Sequence, residues 1–401
     1  FDMTRDEQQK DAFNKYRDNK CAGSIIAGTG FGKTRVGVYA VVHALLNSEH
    51  DALVLVPFSH LKENFKGEMI KAGYEEHIPR VQFECYASVK KLAKNPCTYS
   101  VLVCDEIHLG LTDICFSFYR RDLFERKMFL TATLPENPLY KSRLYSICPP
   151  VFEISIDACV DKGFVAPYTI KCVKLELIAS ERKKYKTVNS NYGYWMSKMG
   201  CNNGGDGFSM AKQILANTSL HEKEKIEAAI GFYRAIRQRK EIIDHAQNKI
   251  TLAKIITENT ADKLLVFGGD NGFTDRIAGT ITGSVTYHSG KGKKVKDAAL
   301  KDFKSGKSKV LCSTKALNQG LDVPDASVGV ICGITSKALT MIQRVGRLIR
   351  IDPDNPDKKG EIIVLYVENS QEEKWLRNAL KEVNQNNVVW TTQQEMLIKA
   401  A

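Results

Sequence analysis

Two short tracts hold residue types suited to phosphate chemistry. The first is Ala27-Gly-Thr-Gly-Phe-Gly-Lys-Thr34. Gly28, Gly30 and Gly32, with Thr29 and Phe31 between them, let successive backbone N–H groups curl around phosphate oxygens. Lys33 adds a point charge for β and γ phosphates, and the Thr34 hydroxyl can ligate Mg2+. An apolar run ends at this tract and an amphipathic one begins at Thr34, so a helix N-terminus aims its positive end at the anion. A strict phosphate-loop pattern has glycine where Ala27 stands. The second tract is Val101-Leu-Val-Cys-Asp-Glu-Ile-His108, an apolar run ending in two carboxylates. Asp105 is placed to hold Mg2+, and Glu106 to orient and deprotonate an attacking water. Alone, Asp-Glu after a strand is a common surface turn. Downstream of a phosphate loop in one sheet it completes a site for nucleoside triphosphate hydrolysis. His108 is either a satisfied core histidine or a residue that couples this site to another.

Other tracts carry weaker signals. Arg344, Arg347 and Arg350 recur every third residue and share one broad helix face, where three cations repel unless an anion is shared. Ser289-Gly-Lys-Gly-Lys-Lys-Val-Lys296 is either a phosphate contact or a solvated loop. Asn189–Gly207 holds Tyr192, Tyr194, Trp195 and Met196 close together, and its tract from Cys201 to Gly207 has no periodicity and reads as a flexible loop.

The elements that position these residues follow from hydrophobic runs. Ser24–Ile26, Ala52–Pro57, Val81–Cys85, Val101–Cys104 and Lys127–Leu130 read as buried parallel strands, with the helix Thr34–Leu46 among their connections. The pattern pauses after Leu134. It resumes with Leu264–Phe267, Ser284–His288, Lys309–Cys312, Val328–Cys332 and Glu361–Tyr366, and with helices Lys296–Lys304, Leu339–Leu348 and Gln371–Asn384. The expected fold is α/β, with two parallel-sheet domains in tandem, residues 1–155 and 261–401. A segment over 156–260 with a strand at Tyr168–Leu177, helical stretches and the Asn/Gly-rich insertion connects them. A cleft between two such sheets is where a ligand would bind.

Composition bounds the rest. The chain has 401 residues, 43% hydrophobic and 26% charged, with a formal net charge of +12. That excludes a disordered chain, and the longest apolar run, Val36–Leu46, falls short of the ~20 residues of a membrane span. The positive charge is either a solvated basic surface or the footprint of a polyanionic partner. Eleven cysteines without any C-x-x-C pair read as free thiols in a reducing cytoplasm rather than as disulfides or a zinc site. No leader is recognisable, and a start at Phe1 rather than Met leads us to expect residues upstream.

The ordered motifs resemble those of superfamily 2 helicases and translocases over nearly the whole chain except the middle insertion. Asp105-Glu-Ile-His108 matches the D-E-x-H box, and Leu130-Thr-Ala-Thr-Leu134 the motif that links nucleotide state to nucleic-acid grip. Gln8, in Arg5-Asp-Glu-Gln8, resembles the adenine-recognising glutamine. Ser313–Pro324 resembles the fifth motif, with Gly320 and Asp322, and Met341–Arg350 carries the Q-R-x-G-R-x-x-R pattern of the sixth. By this resemblance the cofactors are ATP and Mg2+, held by Arg5, Gln8, Ala27 to Thr34, Gly320 and Asp322, with Thr34 and Asp105 on the metal. Lys33, Asp105, Glu106, Gln343, Arg347 and Arg350 are implied as catalytic, the two arginines as fingers on the γ-phosphate. Ser59, Ser88 and Thr314 match positions that touch the DNA backbone, and His108, Thr131 and Thr133 match coupling positions. The segment Ile156–Tyr168 resembles repair helicases and phage branch-migrating helicases of the UvsW type. The resemblance thus implies a DNA helicase acting on forks, junctions and single strands in replication, recombination or repair, in the host cytoplasm if phage-encoded. A duplex translocase of a restriction-type complex, an RNA helicase and a catalytically silent binding module are the alternatives.

Overall fold

The computed structural model describes residues 3–28, 30–135, 137–164, 167–201, 206–220, 222–314, 326–334, 360–381 and 383–400. They divide into two units, the first comprising the described residues up to Tyr168 together with Gly360, the second the other described residues from Thr169 onward. The segment 156–260 is therefore shared: its start stays with the first unit and the remainder with the second.

In the first unit, α1 (Arg5–Asp18) begins at a capping box of Thr4 and Glu7 and leads into β1 (Ala22–Ala27) and α2 (Lys33–Leu46). Next come β2 (Ala52–Val56), α3 (Ser59–Lys71), β3 (Val81–Cys85), α4 (Val89–Leu92) and β4 (Val101–Cys104). α5 (Asp113–Tyr119), β5 (Lys127–Thr131), α6 (Pro138–Ile147), β6 (Pro150–Ile154) and α7 (Ile156–Asp161) complete it. The six strands form one parallel sheet in the order β3-β2-β4-β5-β1-β6. β2 and β4 are fully buried apolar strands, as expected of a sheet covered on both faces.

The second unit opens with β7 (Tyr168–Leu175) and the helices α8 (Ala179–Lys198), α9 (Gly207–Ala216), α10 (Lys223–Asp244) and α11 (Gln247–Glu258). Then follow β8 (Leu264–Phe267), α12 (Asn271–Ala278), β9 (Val285–Tyr287), α13 (Lys293–Lys304), β10 (Val310–Ser313) and β11 (Val328–Ile331). β12 (Gly360–Val367), α14 (Gln371–Ala379), β13 (Val388–Thr392) and α15 (Gln393–Ala400) end the chain. The sheet order is β13-β7-β12-β11-β8-β10-β9. Neighbours from β12 to β9 pair in parallel, as do β13 and β7.

α8 reaches Lys198, so Tyr192, Trp195 and Met196 are helical and pack around the buried Phe232 of α10, while Tyr194 points to solvent. That hydrophobic face, rather than the helix propensity of Asn189, Asn191 and Gly193, holds the segment helical. Lys249 of α11 and Glu372 of α14 form an ion pair of 2.6 Å at 0% and 1% exposure, and Glu372 also accepts from Val367 N–H. All eleven cysteines are free, and eight are buried. No described helix is long and apolar enough to cross a membrane.

Candidate active site

The C-terminal edge of the first sheet gathers the residues singled out above, as ligands gather in parallel α/β sheets. The phosphate loop follows β1. Gly30 and Gly32 are left-handed, with φ 93° and 86°, where a side chain would be strained. Gly32 caps α2 without a side-chain acceptor, so the first N–H groups of that helix keep their polarity for an anion. A Cβ on Gly32 would also stand 2.4 Å from Gln9 Nε2. Gln9 is buried, and that amide donates to Phe31 O at 2.6 Å, tying α1 to the loop. Lys33 Nζ donates to Ala27 O at 3.0 Å.

A cleft of about 740 Å3 opens beside the loop, lined by Arg5, Asp6, Gln9, Gly30, Gly32, Thr34, Arg35, Glu68, Gly163 and Phe164. Arg5 donates to the Phe164 carbonyl, and burial lowers its pKa. Arg35 and Glu68 pair at 2.6 Å. Gln9 on this wall is the residue after the glutamine named from the sequence. Gln8 Oε1 is buried without a hydrogen-bond partner. Gln9, Gly163 and Phe164 were not among the site residues expected from the sequence, although the last two fall in the Ile156–Tyr168 segment. The Gln8-Gln9 pair signals a glutamine here without fixing which one faces the loop.

The carboxylates sit at the end of β4. Asp105 is 9% exposed. Burial, then the charge of Glu106, push its pKa up to about 7, against the opposing pull of Lys33 and a hydrogen bond from Glu106 N–H at 3.0 Å. Glu106 is left-handed, φ 50° and ψ 50°, a conformation costing a non-glycine residue roughly 1 kcal/mol. Tyr86 Oη donates to Asp105 O at 2.6 Å and fixes the turn from outside. A Cβ on Gly110 would lie 2.5 Å from the Tyr86 ring, so only glycine leaves that ring its place.

His108 stands beside Glu106. Burial lowers its pKa, which keeps it neutral at pH 7. Its Nδ1 is 3.1 Å from Thr131 Oγ1, and Thr131 Oγ1 donates to Thr133 O at 2.9 Å. The hydroxyl proton is thereby used, so His108 Nδ1–H is the donor to Thr131. Glu106 Oε2, 3.4 Å from Nδ1, is buried without a hydrogen bond, as is Thr133 Oγ1. The structure thus brings Glu106, His108, Thr131 and Thr133 into one row of contacts.

The donor set suits a hard divalent cation. Buried Asp105 and half-buried Glu106 are adjacent carboxylates facing Lys33, one Glu106 oxygen is orphaned, and the Thr34 hydroxyl lies in the first turn of α2. Ser59 opens α3 after β2, with Oγ 3.7 Å from Cys85 Sγ, and Ser88 lies in the turn after β3, so both occupy the same sheet edge. In the second unit Thr314 follows β10, is 6% exposed, and donates to Asn271 Oδ1 at 3.3 Å. Thr29, Gly320, Asp322, Gln343, Arg347, Arg350 and the helix expected over Leu339–Leu348 lie outside the described residues.

Two parallel-sheet units in tandem, the first bearing a glycine-rich loop and a strand-end carboxylate pair, match the RecA-like tandem fold of solved helicase structures. Residues 247–352 match the helicase conserved C-terminal domain. The chain is similar to the DNA 3'-5' translocase XPB2 of Sulfurisphaera tokodaii, 27% identical over 345 residues, 82% of this chain and 74% of that protein. It is 33% identical over 103 residues to the probable ATP-dependent RNA helicase ddx49 of Dictyostelium discoideum, covering 25% of this chain and 20% of that one. Its fold resembles the helicase domain of Pyrococcus furiosus Hef, with a TM-score of 0.61, 14% identity, and coverage of 93% and 98% of the two chains. Each of these matches is to a helicase or a translocase.

Proposed function

We propose that the chain is an ATP-driven motor that moves along DNA and opens or migrates forks and junctions. The observation that carries the reading is the meeting of Lys33, Asp105 and Glu106 at one sheet edge, with Glu106 continued into the row His108, Thr131 and Thr133. Lys33 and the bare N–H groups of α2 bind and orient the triphosphate. Thr34 and Asp105 would hold Mg2+, which when bound would supply charge that neutralises the phosphate oxygens. Glu106, whose Oε2 has no hydrogen bond to give up, accepts the proton of the attacking water. The row through His108 to Thr133 carries the nucleotide state away from Glu106. By the motif resemblance Gln343, Arg347 and Arg350 act on the γ-phosphate, and Ser59, Ser88 and Thr314 grip backbone phosphates without reading sequence.

DNA is favoured as the track because similarity to a DNA translocase runs over 82% of the chain, whereas the RNA helicase ddx49 is matched over 25%. The resemblance of Ile156–Tyr168 to branch-migrating helicases supports forks and junctions. The test is ATP hydrolysis by the chain alone and with single-stranded, forked and duplex DNA, and with RNA of the same sequence. Stimulation by DNA that weakens with salt is expected. Stimulation by RNA alone overturns the choice of track, and no hydrolysis under any condition overturns the motor.

A further inference from the structure

The turn from Asp105 to Gly110 carries the Glu106 carboxylate, and two tyrosine hydroxyls hold it at its ends. Tyr86, in the turn after β3, donates to the Asp105 carbonyl at 2.6 Å. Tyr119, at the end of α5, donates to the Gly110 carbonyl at 2.9 Å. Between these points the turn closes on itself, with Leu109 N–H donating to Glu106 O at 3.0 Å and Gly110 N–H to Ile107 O at 2.7 Å. The Tyr86 ring also lies against Gly110, where a Cβ would meet its Cε1 and Cζ at 2.5 Å. One side chain thus touches both ends of the turn. Tyr119 is buried and Tyr86 packs against the same apolar cluster, so both rings stand on the core of the first unit.

The residue held in this way is a strained one. Glu106 has φ 50° and ψ 50°. A glutamate keeps a left-handed backbone only where its surroundings over-determine it. The Asp105 carbonyl shares a planar peptide unit with the Glu106 nitrogen, so a hydrogen bond to that oxygen fixes the plane from which Glu106 departs. The side chain itself has less to hold it. Glu106 Oε2 makes no hydrogen bond, although His108 Nδ1 stands 3.4 Å away. The direction of the carboxylate is therefore set by the backbone beneath it. Asp105 differs, because its N–H donates to Leu55 O at 2.9 Å within the sheet and its Oδ1 accepts from Glu106 N–H.

We propose that Tyr86 and Tyr119 are positioning residues for ATP hydrolysis, which hold the Asp105–Gly110 turn by its two end carbonyls and so aim the Glu106 carboxylate at the attacking water. The inference rests on the reading of Glu106 as the base of an ATPase. Neither tyrosine touches the nucleotide in this account. Both act through the turn, from elements that the motifs around Lys33 and Asp105 do not include.

The test measures ATP hydrolysis by the full chain with Mg2+ and forked DNA. Tyr86→Phe and Tyr119→Phe each remove one oxygen and keep the ring. The expected result is a fall in kcat of about tenfold in each variant, since a misplacement of about 1 Å can cost about 10²-fold. The ATP concentration at half-saturation should stay as in wild type, because Lys33 and the glycine-rich loop stand on other elements. Thermal melts give the folded fraction, and rates are taken per folded molecule, so a loss of stability alone does not move kcat. Hydrogen exchange at the Leu109 and Gly110 amides should quicken in both variants, while the α2 amides exchange as in wild type. Both variants turning over as wild type, or a changed half-saturation at unchanged kcat, overturns the positioning role and leaves the ATPase reading standing. A wild-type chain that hydrolyses no ATP overturns both.

Discussion

Asp105→Asn should stabilise the first unit at pH 8 and leave it nearly unchanged at pH 4. In the folded protein burial and the neighbouring Glu106 raise the Asp105 pKa from 3.8 to about 7, with Lys33 pulling the other way. Burial lowers the His108 pKa, so at pH 8 that ring faces Glu106 uncharged and adds no compensating charge. An acid with a raised native pKa binds more protons folded than unfolded between these two pH values. Stability therefore falls as pH rises through that window and levels off above it. A rise of about three pH units at ~1.36 kcal/mol each is worth up to about 4 kcal/mol. Asparagine has nearly the same shape and keeps an oxygen for Glu106 N–H, but carries no charge to bury. The assay is hydrogen exchange of the β4 amides at pH 4, 6 and 8 without divalent cations, which reads local stability in this unit. Added Mg2+ should protect the wild type at pH 8 far more than the variant. An Asn variant no more protected than wild type at pH 8 would refute the claim that these carboxylates repel each other in a desolvated site.

Glu372→Gln should destabilise the second unit by about 3–5 kcal/mol, because it leaves Lys249, at 0% exposure, without its carboxylate partner. Thermal melts should show that the double replacement Lys249→Met, Glu372→Leu recovers most of that loss. Gly110→Ala should cost about 1–3 kcal/mol through the 2.5 Å encounter with the Tyr86 ring, and denaturant titration reads it. Thr131→Val removes the acceptor of His108 and the donor to Thr133. ATP affinity should persist in this variant while stimulation of hydrolysis by DNA falls, as steady-state rates with and without DNA would show.

Much of the fold was legible because strands buried on both faces read as continuous apolar runs, as Ala52–Val56 and Val101–Cys104 do. The strands that escaped are edge strands. β6 and β13 are partly exposed, and their mixed sequences Pro-Val-Phe-Glu-Ile and Val-Val-Trp-Thr-Thr lack such a run. The helix through Tyr192 and Trp195 was hidden by Asn and Gly residues, whose weak propensity is overridden by packing on Phe232. In the candidate site, the glycine-rich tract and the carboxylate pair could be singled out because the chemistry expected of them requires contiguous residues. Gln9 could not be told from Gln8, since adjacent residues on a helix differ by about 100° and only packing decides which faces the loop. The contact of Tyr86 with Gly110 and Asp105 joins separate strand ends and leaves no local trace in the sequence.

The central claim is that Glu106 is the base of an ATPase that nucleic acid stimulates. Its most direct test compares wild type with Glu106→Gln, measuring ATP binding and steady-state hydrolysis with Mg2+ in the presence and absence of forked DNA. The account predicts DNA-stimulated turnover in the wild type, and a variant that binds ATP but no longer turns it over, because the amide accepts no proton. Near-normal turnover in Glu106→Gln, or a wild type that binds ATP without hydrolysing it on any nucleic acid, would contradict it.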